Sequence, residues 1–319
     1  MELNSNISTS LDTYPHETTY SDEQIIQMFL SVCTNAPNTR KNYARALYHF
    51  SKFIAGKKLR DVTWREIEAY KLYLSQANYR ENGRALAPAS IAAFIAPLKS
   101  FYKWGNEDGI GLFPTNPTLT TRIPPTTITS RKNYLTKREV GQLLDVLYND
   151  SLRNYLIGLS LVLLGLRVSE LTRIKWGDFH TDALGKSVWL TITQAKRGKT
   201  REVKVPKRLW ELFKKHTFAA SKHQNPSEDF LLFPITTRQV ERIIKAAGER
   251  CELTKKPTPH WLRHTNATLA LLEGASLQQV QETLGHSHIN TTQRYLHTVE
   301  QLKKAAPDFV QDSLDEYIK

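Results

Sequence analysis

The stretch His260-Trp261-Leu262-Arg263-His264 stands near the end of the chain, followed by Leu284-Gly285-His286 and then by Tyr295. Far upstream lies Gly165-Leu166-Arg167-Val168-Ser169-Glu170-Leu171. The two arginines supply fixed positive charge, the histidines handle protons, and the tyrosine supplies an oxygen nucleophile. Such groups can attack a phosphodiester without a metal ion. The pattern predicts a phosphoryl-transfer site whose nucleophile is Tyr295.

The length of 319 residues predicts two domains, each large enough to bury a core of its own. No apolar run approaches the roughly 18 to 20 residues of a membrane span, which excludes a membrane protein. The first 21 residues contain neither Lys nor Arg, which opposes a secretory signal or a transit peptide. The two cysteines, Cys33 and Cys251, suggest no disulfide framework. We therefore expect a cytoplasmic protein.

The chain is strongly basic, with 44 Lys and Arg against 31 Asp and Glu and a formal charge of +13. This balance favours a polyanionic partner, although it can also serve solubility alone. Both prospective domains carry the excess. A phosphate backbone bound by both domains explains that distribution better than a single basic tail does.

The first part of the chain has helical periodicity. Tyr43, Leu47, Phe50 and Ile54 follow one another at spacings of four, three and four. A second apolar stripe is predicted at Trp64, Ile67, Tyr70, Leu72 and Leu74. We predict a flexible segment at 1–21 and a helical bundle over 22–117. Proline, threonine and asparagine then accumulate, which predicts an interdomain linker at 118–133.

The second domain is predicted over 134–319. Thr136 and Glu139 form a capping box that opens a helix, and a further helix is expected over 155–164. Two runs of β-formers, 187–192 and 202–205, predict one hairpin. The fold class is therefore mainly α with a small antiparallel β-sheet.

Three local motifs are typical of other functions. Gly198-Lys199-Thr200 resembles the end of a phosphate-binding loop, but Thr193 occupies the position of the required earlier glycine. His260 and His264 lack the intervening glutamate of a metalloprotease, since Trp261 follows the first histidine. Segment 265–296 has helix-turn-helix spacing, and a DNA-binding regulator without chemistry remains an alternative. Its recognition helix would offer chiefly glutamines for base contacts.

Taken together and in this order, the Arg167 box, His260-x-x-Arg263-His264, the His286 box and Tyr295 resemble the signature of tyrosine recombinases. The resemblance covers nearly the whole chain, with 22–117 similar to a core-binding domain and 134–319 to a catalytic domain. It implies a two-domain, C-shaped clamp around double-stranded DNA. It also implies strand cleavage and rejoining without a cofactor or a metal.

The resemblance assigns a role to each matching residue. Arg167 and Arg263 would bind the nonbridging oxygens of the scissile phosphate, and His286 would hydrogen-bond the same group. Tyr295 would attack to give a 3′-phosphotyrosine, with His260 assisting its proton transfer. Lys196 would protonate the departing 5′ oxygen. Glu170, Lys199 and His264 are expected to support the site, and Lys199 is the alternative general acid because no glycine precedes Lys196.

Assembly and DNA contacts follow from the same resemblance. We expect a dimer on one core site, a tetramer in a synapse that passes through a Holliday junction, and possible accessory proteins. The terminal segment 307–318 has the pattern of an amphipathic helix, which would dock on a neighbouring protomer or pack on its own domain. A type IB topoisomerase or a telomere resolvase remains an alternative. The residues expected to contact DNA are Arg40, Lys41, Arg45, Arg84, Lys99, Arg197 and Arg201.

Overall fold

The computed structural model describes residues 20–33, 36–76, 85–107, 109–125, 133–193, 200–221, 226–302 and 306–317. The chain divides between residues 127 and 128 into two compact units. The predicted N-terminal segment 1–21 lies outside the described residues except at its last two positions.

The first unit is built from helices. They are α1 (Asp22–Val32), α2 (Pro37–Phe53), α3 (Trp64–Ser75) and α4 (Pro88–Gly105). A capping box opens α1 at Ser21 and α3 at Thr63, whereas α2 and α4 begin with proline, whose fixed φ suits the first helical position. The predicted helix around Leu47 and Phe50 is confirmed as α2, and both side chains are fully buried.

One predicted apolar stripe differs from the structure. In α3 the buried side chains are Ile67, Tyr70 and Leu74, whose spacings of three and four define one helix face. Trp64 and Leu72 were placed on the same stripe from the sequence, yet both are exposed. Leu72 lies five positions after Ile67, and this offset turns its side chain away from the core.

The segment after α4 is anchored to the first unit. The Lys99 ammonium donates to the carbonyl oxygens of Thr118 at 3.1 Å and Thr121 at 2.7 Å, and both threonines are buried. The composition of residues 118–121 predicts that they belong to the interdomain linker. A segment without helix or strand can still be fixed when a partly buried cation satisfies its carbonyl groups.

The second unit combines helices with a small sheet. Its helices are α5 (Lys137–Asp150), α6 (Leu152–Leu163), α7 (Val168–Leu171), α8 (Lys207–Ser221), α9 (Thr237–Arg250), α10 (Pro259–Leu272), α11 (Leu277–Leu284), α12 (Ile289–Leu302) and α13 (Ala306–Leu314). The capping box of Thr136 and Glu139 is confirmed at the start of α5. In α13, Val310 and Leu314 are exposed.

The sheet has the antiparallel order β1-β2-β3, with β1 at Phe179–Thr181, β2 at Val188–Thr193 and β3 at Thr200–Val205. Strands β2 and β3 pair with Leu190 opposite Val203, and both side chains are buried. The predicted hairpin is confirmed, whereas the three-residue strand β1 was not predicted. The turn 194–199 lies outside the described residues, together with Lys196, Arg197 and Lys199.

Two hydrophobic clusters stabilise the second unit. The larger joins side chains of α5, α6, α8 and α9 to those of β2 and β3. The smaller consists of Ala267, Leu271, Val280, Leu284, Tyr295 and Val299, from α10, α11 and α12. Helix α10 contributes to both, because Leu262 packs in the larger cluster. Within the described ranges, no helix is long and apolar enough to span a bilayer.

Candidate active site

Glu170 organises one side of the candidate site. It is the third residue of the short helix α7, and its carboxylate accepts from the backbone N–H of Arg167 at 2.8 Å and from the Arg167 guanidinium at 2.8 Å. Arg201, from β3, donates to both carboxylate oxygens, at 2.9 and 2.8 Å. Burial alone would raise the pKa of Glu170, but the hydrogen bonds and charge of Arg201, with those of Arg167, lower it to about 2. The carboxylate is therefore ionised at neutral pH and fixes both arginines.

Arg263 lies deeper, on α10, with 3% of its side chain exposed. Its two terminal nitrogens donate to the carbonyl oxygens of Gly165 and Leu284. Gly165 has a φ of +59°, and its carbonyl is presented from the loop between α6 and α7. Burial, followed by the nearby charge of Arg167, lowers the pKa of Arg263 to about 9. The guanidinium remains charged at neutral pH and is held by main-chain groups on two elements.

Tyr295 projects from α12 toward α10. Its hydroxyl lies 2.6 Å from Nδ1 of His264, and Nε2 of His264 lies 2.8 Å from Nε2 of His260. The two histidines are four residues apart and therefore share one face of α10. The site thus contains a continuous hydrogen-bonded chain from the phenol through His264 to His260. The sequence had assigned the contact with the nucleophile to His260, and the structure places His264 between them.

His286 completes the cluster from the loop after α11. Its ring is nearly parallel to that of Tyr295, with an interplanar angle of 7° and a centroid distance of 6.4 Å. Nδ1 of His286 lies 3.0 Å from the hydroxyl of Thr292. Gly285 ends α11 in the left-handed conformation, at a φ of +63°, which turns the chain toward the site. Nε2 takes no part in the Thr292 contact.

Burial and the charges of the arginines shift the pKa values of the histidines and of the tyrosine in the site. Burial lowers the pKa of His264 to about 4, with a further contribution from His260 and Arg263. Burial and the charges of Arg263 and Arg167 also lower the pKa of His286 to about 4. Burial raises the pKa of the Tyr295 phenol, although the same arginines act against that rise. At pH 7 the site therefore holds a neutral phenol and neutral imidazoles beside cationic arginines.

The structure brings together Arg167, Glu170, Arg263 and the three histidines with Tyr295, as the sequence predicted. Arg201 needs correction as a DNA-contacting residue. Its side chain is only 8% exposed, and it pairs with Glu170 and donates to the Thr283 carbonyl at 3.0 Å. A buried carboxylate draws this arginine inward. The structural roles of Arg201 and of Thr292 had not been predicted, and a single sequence contains no signal for them.

Of the residues of the first unit that are predicted to contact DNA, some are exposed and one is engaged within the protein. Arg40, Lys41 and Arg45 are exposed on α2, and the Arg45 guanidinium lies 5.1 Å from the ring centroid of Phe94. Lys99 is instead engaged by the two carbonyl oxygens described above, so its ammonium is not presented for a DNA contact. Arg84 lies outside the described residues.

The helix-turn-helix alternative is weakened by the glutamines of α11. Gln279 closes the capping box with Ser276, Gln278 donates to Glu282, and Gln281 donates to the His286 carbonyl. These side chains satisfy their own helix and the adjoining loop. A recognition helix needs such groups directed at base edges.

A helical fold that brings a tyrosine, histidines and two arginines into one cluster fits the class of phosphoryl-transfer enzymes that use a tyrosine nucleophile. The model of the phage integrase family matches residues 133–301, and that of the phage integrase N-terminal SAM-like domain matches residues 23–111. The chain belongs to the phage integrase family, the tyrosine recombinases. It is an enzyme of site-specific recombination that cuts and rejoins DNA.

Relatives agree with this placement. The tyrosine recombinase XerC of Staphylococcus saprophyticus is 32% identical over 277 residues, which span 84% of this chain and 89% of that protein. The Tn1549 transposon integrase in complex with transposon right end DNA has a similar fold, with a TM-score of 0.66, 18% identity and coverage of 93% and 99% of the two chains. A lambda integrase tetramer bound to a Holliday junction gives a TM-score of 0.65 at 20% identity, covering 86% of this chain and 75% of that one.

Proposed function

We propose that this protein recombines double-stranded DNA at a specific core site, with Tyr295 as the nucleophile. The phenol oxygen attacks the scissile phosphorus, a 3′-phosphotyrosine bond forms, and the bond to the 5′ oxygen breaks. Because the phosphodiester energy is conserved in the protein–DNA bond, a 5′ hydroxyl of a partner strand can reverse the step without ATP. The position of Tyr295 Oη in a hydrogen-bonded histidine chain supports this role most directly.

The arginines would stabilise the charge that develops on the phosphate. Arg167 and Arg263 are fixed before the reaction by Glu170 and by main-chain carbonyls, so little reorganisation is needed when the transition state forms. We assign them to the nonbridging oxygens and His286 to a hydrogen bond with the same phosphate. Substrate binding would require the Arg263 guanidinium to share its donors between those carbonyls and the phosphate.

The leaving 5′ oxygen needs a proton donor. We assign that role to Lys196 on the β2–β3 turn, with Lys199 as the alternative. Strands β2 and β3 fix both ends of this turn, and Arg201 connects β3 to Glu170 and to α11. Arg201, at the start of β3, therefore shares the Glu170 carboxylate with Arg167, the arginine that would bind the phosphate.

The DNA partner and the assembly are proposed on the same basis. Exposed Arg40, Lys41 and Arg45 on α2 offer phosphate contacts from the first unit, and Arg197 on the hairpin turn offers one from the second. We propose a dimer on one core site and a tetramer in the synapse, with accessory proteins where the core site alone does not suffice. The exposed side of α13, with Val310 and Leu314, is assigned to protomer contact. The compartment proposed is the cytoplasm, where the DNA lies.

Covalent trapping tests the nucleophile. Duplexes bound by the Tyr295→Phe variant are selected from random and gene-flanking DNA, and they are then offered to the wild type as nicked suicide substrates. We expect the wild type to form an SDS-resistant adduct in which the protein is joined to the 3′-phosphate end of the cleaved strand. Tyr295→Phe should form no adduct. Tyr148→Phe is the matched control, because Tyr148 is 62% exposed on α5, and it should form the adduct normally.

Other outcomes distinguish the alternatives. Tight, site-specific binding without an adduct would favour a non-catalytic regulator. An adduct that relaxes supercoils but never exchanges strands between two duplexes would favour a topoisomerase. Strand exchange that depends on Tyr295 supports recombination, whereas an adduct that persists in Tyr295→Phe would refute the proposal.

A further inference from the structure

Among the described residues, His264 is the side chain that lies within hydrogen-bond distance of the hydroxyl oxygen of Tyr295. Its Nδ1 lies 2.6 Å from Tyr295 Oη, and its Nε2 lies 2.8 Å from Nε2 of His260. The two imidazole rings are nearly perpendicular, at 74°, with centroids 4.2 Å apart. Both histidines stand on α10, whose capped start at Thr258 and packing in two clusters fix their positions.

The hydrogen positions of this chain follow from its donors and acceptors. Two nitrogens that face each other share one proton, so one of the Nε2 atoms donates and the other accepts. Of the two neutral arrangements, only one lets the phenol donate. In it, His264 accepts at Nδ1 and donates from Nε2, while His260 accepts at Nε2 and carries its proton on Nδ1. This arrangement gives the phenolic proton a path of two hydrogen bonds.

We propose that His264 accepts the proton of Tyr295 during DNA cleavage and passes a proton on to His260. The inference rests on the proposed function and makes His264 a catalytic residue of that reaction. As the bond from Oη to phosphorus forms and the bond to the 5′ oxygen breaks, the phenolic proton moves to Nδ1 of His264. The Nε2 proton of His264 moves to Nε2 of His260. The departing oxygen takes its proton from the hairpin general acid.

The relay places the positive charge where water can solvate it. At the end of the step His264 is neutral again, with its proton on Nδ1, and His260 is an imidazolium. His264 is partly buried beside the charge of Arg263, and burial lowers its pKa to about 4, so a lasting cation is unfavourable there. His260 is exposed at the first turn of α10, and although partial burial of its ring and the charges of Arg263 and Arg167 lower its pKa as well, water reaches this ring and can solvate a transient cation. The reverse transfer would restore the phenol when the strand is rejoined.

Substitution of His264 separates proton transfer from positioning. Asparagine places an amide oxygen near the position of Nδ1, so His264→Asn can still accept a hydrogen bond from the phenol but cannot take its proton. On a nicked suicide duplex selected as above, we expect adduct formation in a single turnover to slow about 100-fold, the lower range of general base catalysis. His260→Gln should slow it less, because His264 still accepts the proton. His180→Gln, on β1, should react normally.

A more acidic phenol makes the test specific. Fluorinated tyrosine at position 295 releases its proton more readily. It should therefore raise the rate of adduct formation by His264→Asn at least about tenfold, the effect expected when general base assistance is no longer needed. It should not restore Arg263→Ala, which lacks a phosphate ligand. Rescue of this kind would not follow if His264 were only a packing residue.

The outcomes are distinguishable from those of the proposed function. If the wild type forms a Tyr295-dependent adduct and His264→Asn reacts within threefold of it, the relay is refuted and the recombinase stands. A slow His264→Asn that fluorinated tyrosine does not rescue also refutes proton transfer. If no Tyr295-dependent adduct forms with any selected duplex, the proposed function and the relay fail together.

Discussion

Replacement of Glu170 by glutamine tests how strongly one carboxylate stabilises the site. The pair formed by Glu170 and Arg201 is buried, with 9% and 8% of the side chains exposed. The variant Glu170→Gln keeps the shape of the side chain but leaves the guanidinium of Arg201 in a buried position without its counterion. Arg263 keeps its bonds to the Gly165 and Leu284 carbonyls and lies 3.9 Å from Glu170, so the main loss falls on Arg201 and Arg167.

The magnitude follows from the pKa of the carboxyl group. It falls from the ordinary 4.5 to about 2 in the folded protein, and each pKa unit corresponds to about 1.4 kcal/mol, so ionised Glu170 contributes about 3 kcal/mol. Loss of one partner of a buried ion pair costs about 3 to 5 kcal/mol in other proteins, which agrees. For a unit of this size, the loss lowers the melting temperature by about 6 to 12 °C.

The pH dependence has a definite sign. Because the folded pKa lies below the unfolded one, the stabilisation is complete above about pH 4.5 and is lost as the pH falls toward 2. The difference between wild type and Glu170→Gln should therefore be constant near pH 7 and fall to about half or less by pH 3.

Differential scanning calorimetry of the full chain measures the difference, with the transition of the first unit as an internal reference. Asp229→Asn is the control, since Asp229 forms an ion pair with Lys175 while 87% of its side chain is exposed. An exposed pair of this kind contributes little, and we expect no measurable shift. A loss below about 1 kcal/mol for Glu170→Gln at pH 7, or a loss that persists unchanged to pH 3, would contradict the reasoning.

Three further predictions concern the surroundings of the site. Gly165→Ala places a Cβ 2.7 Å from two neighbouring side chains at a positive φ, whereas the Cβ of Gly185→Ala, also at a positive φ, meets nothing within 4 Å. In urea unfolding, the first variant should lose about 2 to 3 kcal/mol of stability and the second about 1 kcal/mol. Equal losses would exclude the close approach as the cause. Asn266 donates to the last carbonyls of α6 at 2.8 and 3.0 Å, so Asn266→Ala should cost about 1 to 3 kcal/mol in the same assay, and a neutral result would show that water replaces the amide. The folded pKa values of His264 and His286 are about 4 against an ordinary 6.5, so the stability of the protein should fall as the pH decreases from about 6.5 to 4. NMR titration of both rings measures these pKa values, and a midpoint near 6.5 for either ring would contradict the prediction.

Local signals in the sequence predicted the elements that carry the site. The capping box at Thr136 requires only a side chain and a backbone N–H three residues apart, so it is visible without tertiary context. The hairpin of β2 and β3 was equally visible from alternating β-formers. Strand β1 was not, because three residues contain too little periodicity, and it exists only by pairing with β2.

Long-range electrostatics account for the remaining differences. Arg201 and Lys99 look alike from the sequence, as basic residues suited to DNA, and nothing local reveals that a carboxylate or two carbonyl groups will bind them. The spacing of four residues predicts only that His260 and His264 share one helix face. The order of contacts to Tyr295 depends on where α12 crosses α10, which no local pattern specifies.

Helix α10 belongs to two hydrophobic clusters, and only the smaller one contains the tyrosine. Helix α12 can therefore open as a local unit while α11, Leu262 and the larger cluster stay closed, since proteins open first where few apolar contacts must be given up. An opening of this kind would carry Tyr295 away from His264 and leave Arg167 and Arg263 assembled. The arginines that would bind the phosphate and the tyrosine that would attack it thus lie in parts of the fold with different local stability.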